Sequence, residues 1–97
     1  MSIAYDGPAG ISLAALSSQG EVAIFCSCNE VPVKLREDEP LAMVKVEFSG
    51  ILAGLEKAAH VIVNLPGGIT FAGQVVESCH GHAGGWLYFK NETENAY

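Results

Sequence analysis

Thiol and imidazole side chains form the group of residues in this sequence whose types could support metal chemistry. Cys26 and Cys28 are two residues apart, and Cys79, His80 and His82 cluster in the last quarter of the chain. Thiolate and imidazole are the ligands that zinc prefers, and a structural zinc site needs four of them. A Cys-x-Cys pair on a strand places both sulfurs on one face. These five residues are therefore candidate zinc ligands.

The spacing of the cysteines also fits a simpler interpretation. Strong zinc motifs separate their cysteines by two to four residues, so that a tight turn wraps the ion, whereas a one-residue spacing on a straight strand does not. Cysteines in such positions often serve as small core hydrophobes, and the histidines then decorate a loop. We favour this interpretation, with no metal and no cofactor, and keep a zinc-stapled binding module as an alternative.

Cys79 next to His80 matches a nucleophile and its base in residue type only. Adjacent residues of a strand point to opposite faces, so the imidazole would not reach the thiol. Glu77 shares the face of Cys79 and cannot orient His80. Neither Gly67-Gly68 nor Gly84-Gly85 precedes a helix start with a lysine, as a phosphate loop does. The sequence therefore predicts a protein that is not an enzyme.

Short runs of alternating apolar and polar residues indicate what positions these side chains. The two-residue period is typical of β-strands, and the central example is a hairpin with the turn Pro66-Gly67-Gly68. Gly73 within its second strand indicates a bulge, a bend or a close backbone approach. Strands are predicted at residues 11–16, 21–28, 31–36, 41–48, 60–65, 69–76 and 86–89.

Two of these strands differ in their expected surroundings. Residues 21–28 are apolar or small on both faces, which predicts a strand in the middle of the sheet. Residues 31–36 alternate, and Pro32 places them at an edge or at the start of a strand. Residues 50–59 have apolar residues at helical spacing, which predicts one short helix or a helical turn.

Strands this short and this evenly spaced predict a mainly β fold, a small antiparallel barrel of six or seven strands with at most one short helix. The length of 97 residues suits a single domain over residues 1–97. Within it, residues 1–10 are predicted to be a flexible, turn-forming lead-in, and residues 91–97 a frayed tail.

Charge and composition narrow the possible partners. The chain has 5 basic and 11 acidic residues, a net charge of -6, and 49% apolar residues. Binding to nucleic-acid phosphates or to an anionic membrane needs a basic surface, so neither is expected. The three cysteines, an odd number, together with the lack of a signal peptide or a membrane-length apolar run, predict a cytoplasmic protein.

Residues 31–90 resemble a PilZ domain, the small barrel best known for binding cyclic di-GMP. The resemblance rests on VPVKLRE, VKVEFSG, AAHVIVNLPGGITFAGQVVES and GGWLYF. The arginine pair of that family, Arg-x-x-x-Arg, has no counterpart, because Arg36 is the single arginine. Glu47 and Ser49 match the second motif loosely, and Gly50 comes two residues early. The resemblance therefore implies a PilZ-like barrel that has lost cyclic di-GMP binding and acts through protein contacts.

Two kinds of protein binding are consistent with these features. The first is a non-enzymatic interaction module in which the acidic loop Glu37, Asp38 and Glu39, with Trp86 and Tyr88, contacts a partner that has a basic surface. The alternative is a small acidic inhibitor of phage type, similar to anti-CRISPR proteins, that blocks a basic nucleic-acid-binding protein. Exposed strand edges also make a homodimer possible.

Overall fold

The computed structural model describes residues 4–38 and 43–91, with the backbone alone for Asp38. The described residues form six strands and one 3-10 turn, Leu55–Lys57. The strands are β1 (Ala4–Leu16), β2 (Val22–Asp38), β3 (Met43–Ser49), β4 (His60–Asn64), β5 (Thr70–His80) and β6 (Gly84–Asn91).

These strands close into an antiparallel barrel in the order β1-β2-β3-β6-β5-β4. This confirms the predicted fold class, and the six strands of the described chain replace seven predicted segments because residues 21–28 and 31–36 are halves of one strand. The break expected between them is a shift in register, at which Asn29 and Glu30 of β2 face a single residue of β1. Glu30 adopts a φ of 57°, which lets β2 continue past the extra residue.

The core follows the predicted alternation. Residues 31–36 alternate buried and exposed, and so do residues 43–49, because every second side chain of a strand points into the barrel. Each large apolar side chain buried in this way contributes about 1.5–3 kcal/mol to folding. The most deeply buried large side chains are Ile11, Leu13, Leu35, Val44, Val46, Leu52, Leu55, Val61, Val63, Leu87 and Phe89.

The central hairpin is confirmed as β4, the turn and β5. Leu65 N–H donates to the carbonyl of Ile69 at 2.8 Å across the turn, and Gly67 and Gly68 have φ values of 92° and 90° that favour glycine. Gly73 is buried at a close approach, since a Cβ there would run into the backbone carbonyl of Lys90. The absence of a side chain thus lets β6 lie against β5 at this point.

Some predicted boundaries are wrong. Residues 4–10, expected to be a turn, belong to β1, where residues 4–9 pair with residues 31–36 of β2 and Gly10 pairs with Asn64 of β4. The helical turn predicted within residues 50–59 is confirmed as the 3-10 turn Leu55–Lys57, and Gly54, at a φ of 81°, prevents it from extending toward residue 50. Asn91 ends β6, and residues 92–97 lie outside the described residues. No helix in the described ranges has the length and hydrophobicity needed to cross a membrane.

The prediction that residues 21–28 lie in the middle of the sheet is also wrong. β3 pairs with β2 from Val33 to Asp38 only, because β3 has 7 residues and β2 has 17. Over Val22–Cys28, the pairing in the described chain is with β1 alone. The expectation that Pro32 places residues 31–36 at an edge or at the start of a strand is wrong as well, because Pro32 lies inside β2 and residues 33–36 pair with both β1 and β3.

Candidate protein-binding surface

The open side of β2 over Val22–Cys28, together with the neighbouring side chain of Leu16, is called here the hairpin edge. No described strand pairs with this side of β2. At about 3.4 Å per residue, the open stretch is about 24 Å long. An unpaired strand presents backbone N–H and C=O groups that can bond to a strand from another chain. The hairpin edge is therefore a geometrically suitable place for protein contact.

The turn between β1 and β2 holds this edge in a defined position. Ser17 N–H donates to the carbonyl of Glu21 at 2.7 Å, and Gly20 N–H donates to the carbonyl of Ser17 at 3.0 Å. The Ser17 hydroxyl also accepts from the backbone N–H groups of Gln19 and Glu21, at 3.2 and 3.1 Å. A serine that bonds its own turn in this way fixes the chain reversal locally.

Large apolar side chains are exposed along the hairpin edge. Their exposed fractions are 51% for Leu16, 53% for Val22, 57% for Ile24 and 45% for Phe25. Leu16 lies opposite Val22, so these two exposed residues share a face of the sheet, whereas Ala14, opposite Ile24, is buried. Contiguous exposed apolar surface of this kind marks interaction sites more often than single exposed residues do.

Phe25 occupies an irregular point in the edge. The register of β1 against β2 shifts here, with Ala14 opposite Ile24 and Leu13 opposite Cys26, so Phe25 has no direct partner in β1. Its ring lies over Gly54, where an added Cβ would come within 2.7 Å of a ring carbon. The segment after β3 thus supports one face of Phe25 and leaves the rest exposed.

The hairpin edge also lacks the features that usually protect an open strand. Charged residues and prolines discourage pairing with other chains, and residues 22–28 contain neither, although Glu21 and Glu30 stand at the two ends. The far part of β5, which extends past β4, provides a contrast. There Val75 N–H donates to the carbonyl of Ala59 at 2.9 Å, and charged Glu77 follows.

The five candidate zinc ligands do not come together. The sulfurs of Cys26 and Cys28 are 3.9 Å apart, on the core side of β2. Cys79 lies opposite Trp86, the His80 ring is 5.7 Å from that of Phe48, and His82 is exposed in the turn before β6. Within residues 4–38 and 43–91, no group of three or more His, Cys, Asp or Glu is placed to hold a metal ion. The thiol pair is thus two ligands short of a structural zinc site.

Cys26 has an altered acidity. Burial raises the pKa of Cys26 above its ordinary value. A hydrogen bond to Cys28 and repulsion between the two charged forms raise the pKa further, while a hydrogen bond with the backbone of Ala53 opposes the shift. Cys26 therefore favours the neutral thiol, which suits a side chain that packs against the core.

Trp86 and Tyr88 lie on the outward face of the barrel, half-buried and edge to face, with ring centroids 5.6 Å apart. Lys45 Nζ lies 5.6 Å from the Trp86 ring centroid and 5.7 Å from that of Tyr88, within the range of cation–π attraction. The same nitrogen is 3.3 Å from a carboxylate oxygen of Glu47. Carboxylates flank the rings too, since Glu47 is directly opposite Trp86 and Glu77 is directly opposite Tyr88.

The acidic residues of the predicted partner surface are placed differently. Glu37 lies in β2 opposite Val44, a core residue, so it belongs to the inward face, at the mouth of the barrel. Asp38 ends β2, and Glu39 lies outside the described residues. The structure thus brings Trp86 and Tyr88 together and places Glu37 on the other face of the sheet.

Sequence reasoning did not identify the hairpin edge as a site, although its signal is present. Residues 22–28 are apolar or small and uncharged, whereas the later half of the same strand has charged residues at alternate positions, Lys34 and Arg36. In comparisons with known proteins, no family model, no curated protein sequence and no solved structure matches the chain.

Proposed function

We propose that this chain is a non-enzymatic protein-interaction module and that the hairpin edge is its binding surface. The observation that carries the proposal is the open stretch Val22–Cys28, which is uncharged and, together with the neighbouring Leu16, has four exposed large apolar side chains. A strand from another protein would satisfy its free backbone groups and cover part of Ile24 and Phe25. This is the physical basis of binding by β-strand addition.

The partner's charge and the compartment are part of the same proposal. A net charge of -6 favours approach by a protein with a basic surface, and Glu21 and Glu30 at the ends of the edge would attract basic residues that flank a partner strand. Cys26, Cys28 and Cys79 are free thiols, which fits the reducing cytoplasm. A PilZ-like ancestry and an acidic inhibitor of phage type remain predictions, and neither depends on the hairpin edge.

A pair of matched substitutions tests the proposal. The immobilised chain is incubated with an extract of its native cells, and the proteins retained are compared among the wild type, Ile24→Lys and Ile69→Lys. Ile24 and Ile69 are 57% and 54% exposed, but Ile69 lies in the turn after β4, away from the edge. We expect Ile24→Lys to abolish specific capture, including capture of free copies of the chain, and Ile69→Lys to preserve it.

Capture that is the same for all three proteins would contradict the proposal. Because both isoleucines are more than half exposed, neither lysine disturbs the core, and equal thermal midpoints would verify that the two variants remain folded. Any difference between them then reports on the surface alone.

A further inference from the structure

We infer that Cys26 and Cys28 form a binding site for a soft monovalent cation, of which Cu(I) is the biological example. The inference goes beyond the proposed function, because these sulfurs lie on the core side of β2 and need no partner protein. Soft thiolate ligands select soft ions, Cu(I) and zinc among them. The number and the positions of the ligands decide between those two ions.

The two sulfurs lie at a distance that one ion can bridge. Sγ of Cys26 is 3.9 Å from Sγ of Cys28. A metal–thiolate bond in a zinc site is about 2.3 Å long, so an ion of similar size bridges sulfurs that are at most about 4.6 Å apart. An ion can therefore bind both sulfurs without a rearrangement of β2.

The number of ligands favours Cu(I) over zinc. A structural zinc site has four protein ligands, and a catalytic one has three and a water. Among residues 4–38 and 43–91, no third His, Cys, Asp or Glu joins the thiol pair in a metal-binding group. The pair therefore leaves zinc incompletely coordinated, whereas Cu(I), which prefers sulfur ligands, forms stable complexes with only two of them.

A contact on the other face of β2 holds the two cysteines in position. Ser27, the residue between them, has its hydroxyl oxygen 3.0 Å from that of Ser12 on β1. Because alternate residues of a strand share a face, this contact keeps both thiols on the side of β2 that faces the core. A site whose ligands are already oriented loses less conformational entropy when it binds an ion.

The surroundings of the thiol pair suit a soft ion. The pair lies opposite Leu13 and Ile11 of β1, which are buried and offer no oxygen ligand from their side chains. A hard ion would lose its water there without replacement, whereas a soft ion bonds mainly to sulfur. Two thiolates with Cu(I) carry one negative charge, and the hydrogen bond from the backbone of Ala53 to Cys26 is placed to stabilise it.

Binding at this site exchanges protons for the ion and involves no electron transfer. Each thiol releases its proton to water as its sulfur bonds to copper, and the copper stays monovalent. Cys26 and Cys28 are half-buried, so the ion reaches them from solvent. Cys79, which is exposed on β5, offers one thiol and no second one beside it.

The first experiment titrates the full chain with Cu(I) under nitrogen and counts bound copper by native mass spectrometry, with Cys79→Ala as the reference chain. The reference should bind one copper per chain. Adding Cys26→Ser or Cys28→Ser should weaken Cu(I) binding, measured by competition with a chelator, by at least about a hundredfold, because a single thiol cannot chelate. Serine variants that bind copper as tightly as the reference would overturn the inference.

A second measurement uses the reference chain alone, so it does not depend on whether the serine variants fold. X-ray absorption at the copper edge should show two sulfur neighbours, and an excess of zinc should not displace the copper. Three or four sulfur neighbours, which more than one chain would have to supply, or displacement by zinc would overturn the inference.

Ile24→Lys separates this inference from the proposed function. The side chain of Ile24 is 57% exposed and is not a ligand, so the reference chain with Ile24→Lys should bind copper with unchanged affinity. Copper binding that survives while protein capture is lost would support both proposals. Copper binding by a chain that captures no protein at all would refute the interaction module and leave the thiol site standing. Loss of copper with Ile24→Lys, in a chain that remains folded, would overturn the inference of a separate site.

Discussion

The two halves of β2 differ in how many neighbouring strands cover them. Residues 33–36 lie between β1 and β3, whereas residues 22–28 pair with β1 alone among the described strands. In the half that contains residues 33–36, Val33 and Leu35 are buried, and Lys34 and Arg36 alternate with them and are exposed. In the half that contains residues 22–28, Val22, Ile24 and Phe25 are exposed, although this stretch has no charged residue.

This comparison shows that apolar character on both faces of a strand does not establish that the strand has two neighbours. The usual inference is that such a strand lies inside a sheet, where both faces are covered. An edge that receives another chain has the same composition, because its second neighbour is absent from the isolated chain. The halves of β2 should therefore respond differently to the same substitution.

Truncation of one apolar residue in each half gives the largest expected contrast. Leu35 is 2% exposed and Ile24 is 57% exposed. Leu35→Ala should lower the free energy of unfolding by about 2–5 kcal/mol, since it removes buried contacts and leaves a cavity. Ile24→Ala should change it by about 0.5 kcal/mol or less. Urea unfolding of dilute, monomeric protein measures both values, and similar losses would mean that Ile24 is part of the folded core.

Local features of the sequence were sufficient to predict the barrel and its central hairpin. The alternation in residues 31–36 depends on one strand and its own pleat, so it could be read without knowledge of the neighbours. The turn at Gly67-Gly68 and the close approach at Gly73 are similarly local, because each depends on the conformational freedom or small size of glycine. These predictions are confirmed for physical reasons that act within a few residues.

Features that depend on distant parts of the chain could not be predicted in this way. Whether residues 22–28 lie inside the sheet depends on the length of β3, which ends its pairing at Val33. Glu37 was expected in a turn, but pairing with β3 extends β2 past Arg36, and Glu37 then shares the inward face of Val33 and Leu35. Likewise, the sequence placed Cys26 and Cys28 on one face but did not locate them relative to Cys79.

A rise to alkaline pH should lower the free energy of unfolding through Cys26, which lies in the open half of β2. The folded chain holds the thiol proton more tightly than the unfolded chain, because the pKa of Cys26 is raised. Its contribution to stability is therefore fully present below the ordinary thiol pKa, about 8.5, and is lost as pH rises from there through the folded-state pKa. Urea midpoints measured from pH 7 to pH 10 should fall.

Cys26→Ala should reduce that fall, and Cys79→Ala provides the control. Cys79 is also a free cysteine but is exposed on β5, so its replacement should leave the pH dependence unchanged. If the urea midpoint fell equally with pH for the wild type and Cys26→Ala between pH 8.5 and 10, another group would be the cause of the lost stability.

The smallest expected effect lies in the paired half, where Arg36 of β2 is directly opposite Lys45 of β3. Like charges directly opposite each other on neighbouring strands are unfavourable, and opposite charges are favourable. Arg36→Glu should therefore raise the free energy of unfolding by about 0.2–1 kcal/mol at low salt, and Arg36→Gln should raise it by less. Because both side chains reach solvent, 1 M salt should remove most of the gain. Destabilisation by Arg36→Glu at low salt would show that Arg36 stabilises this half of β2 through contacts that outweigh its repulsion from Lys45.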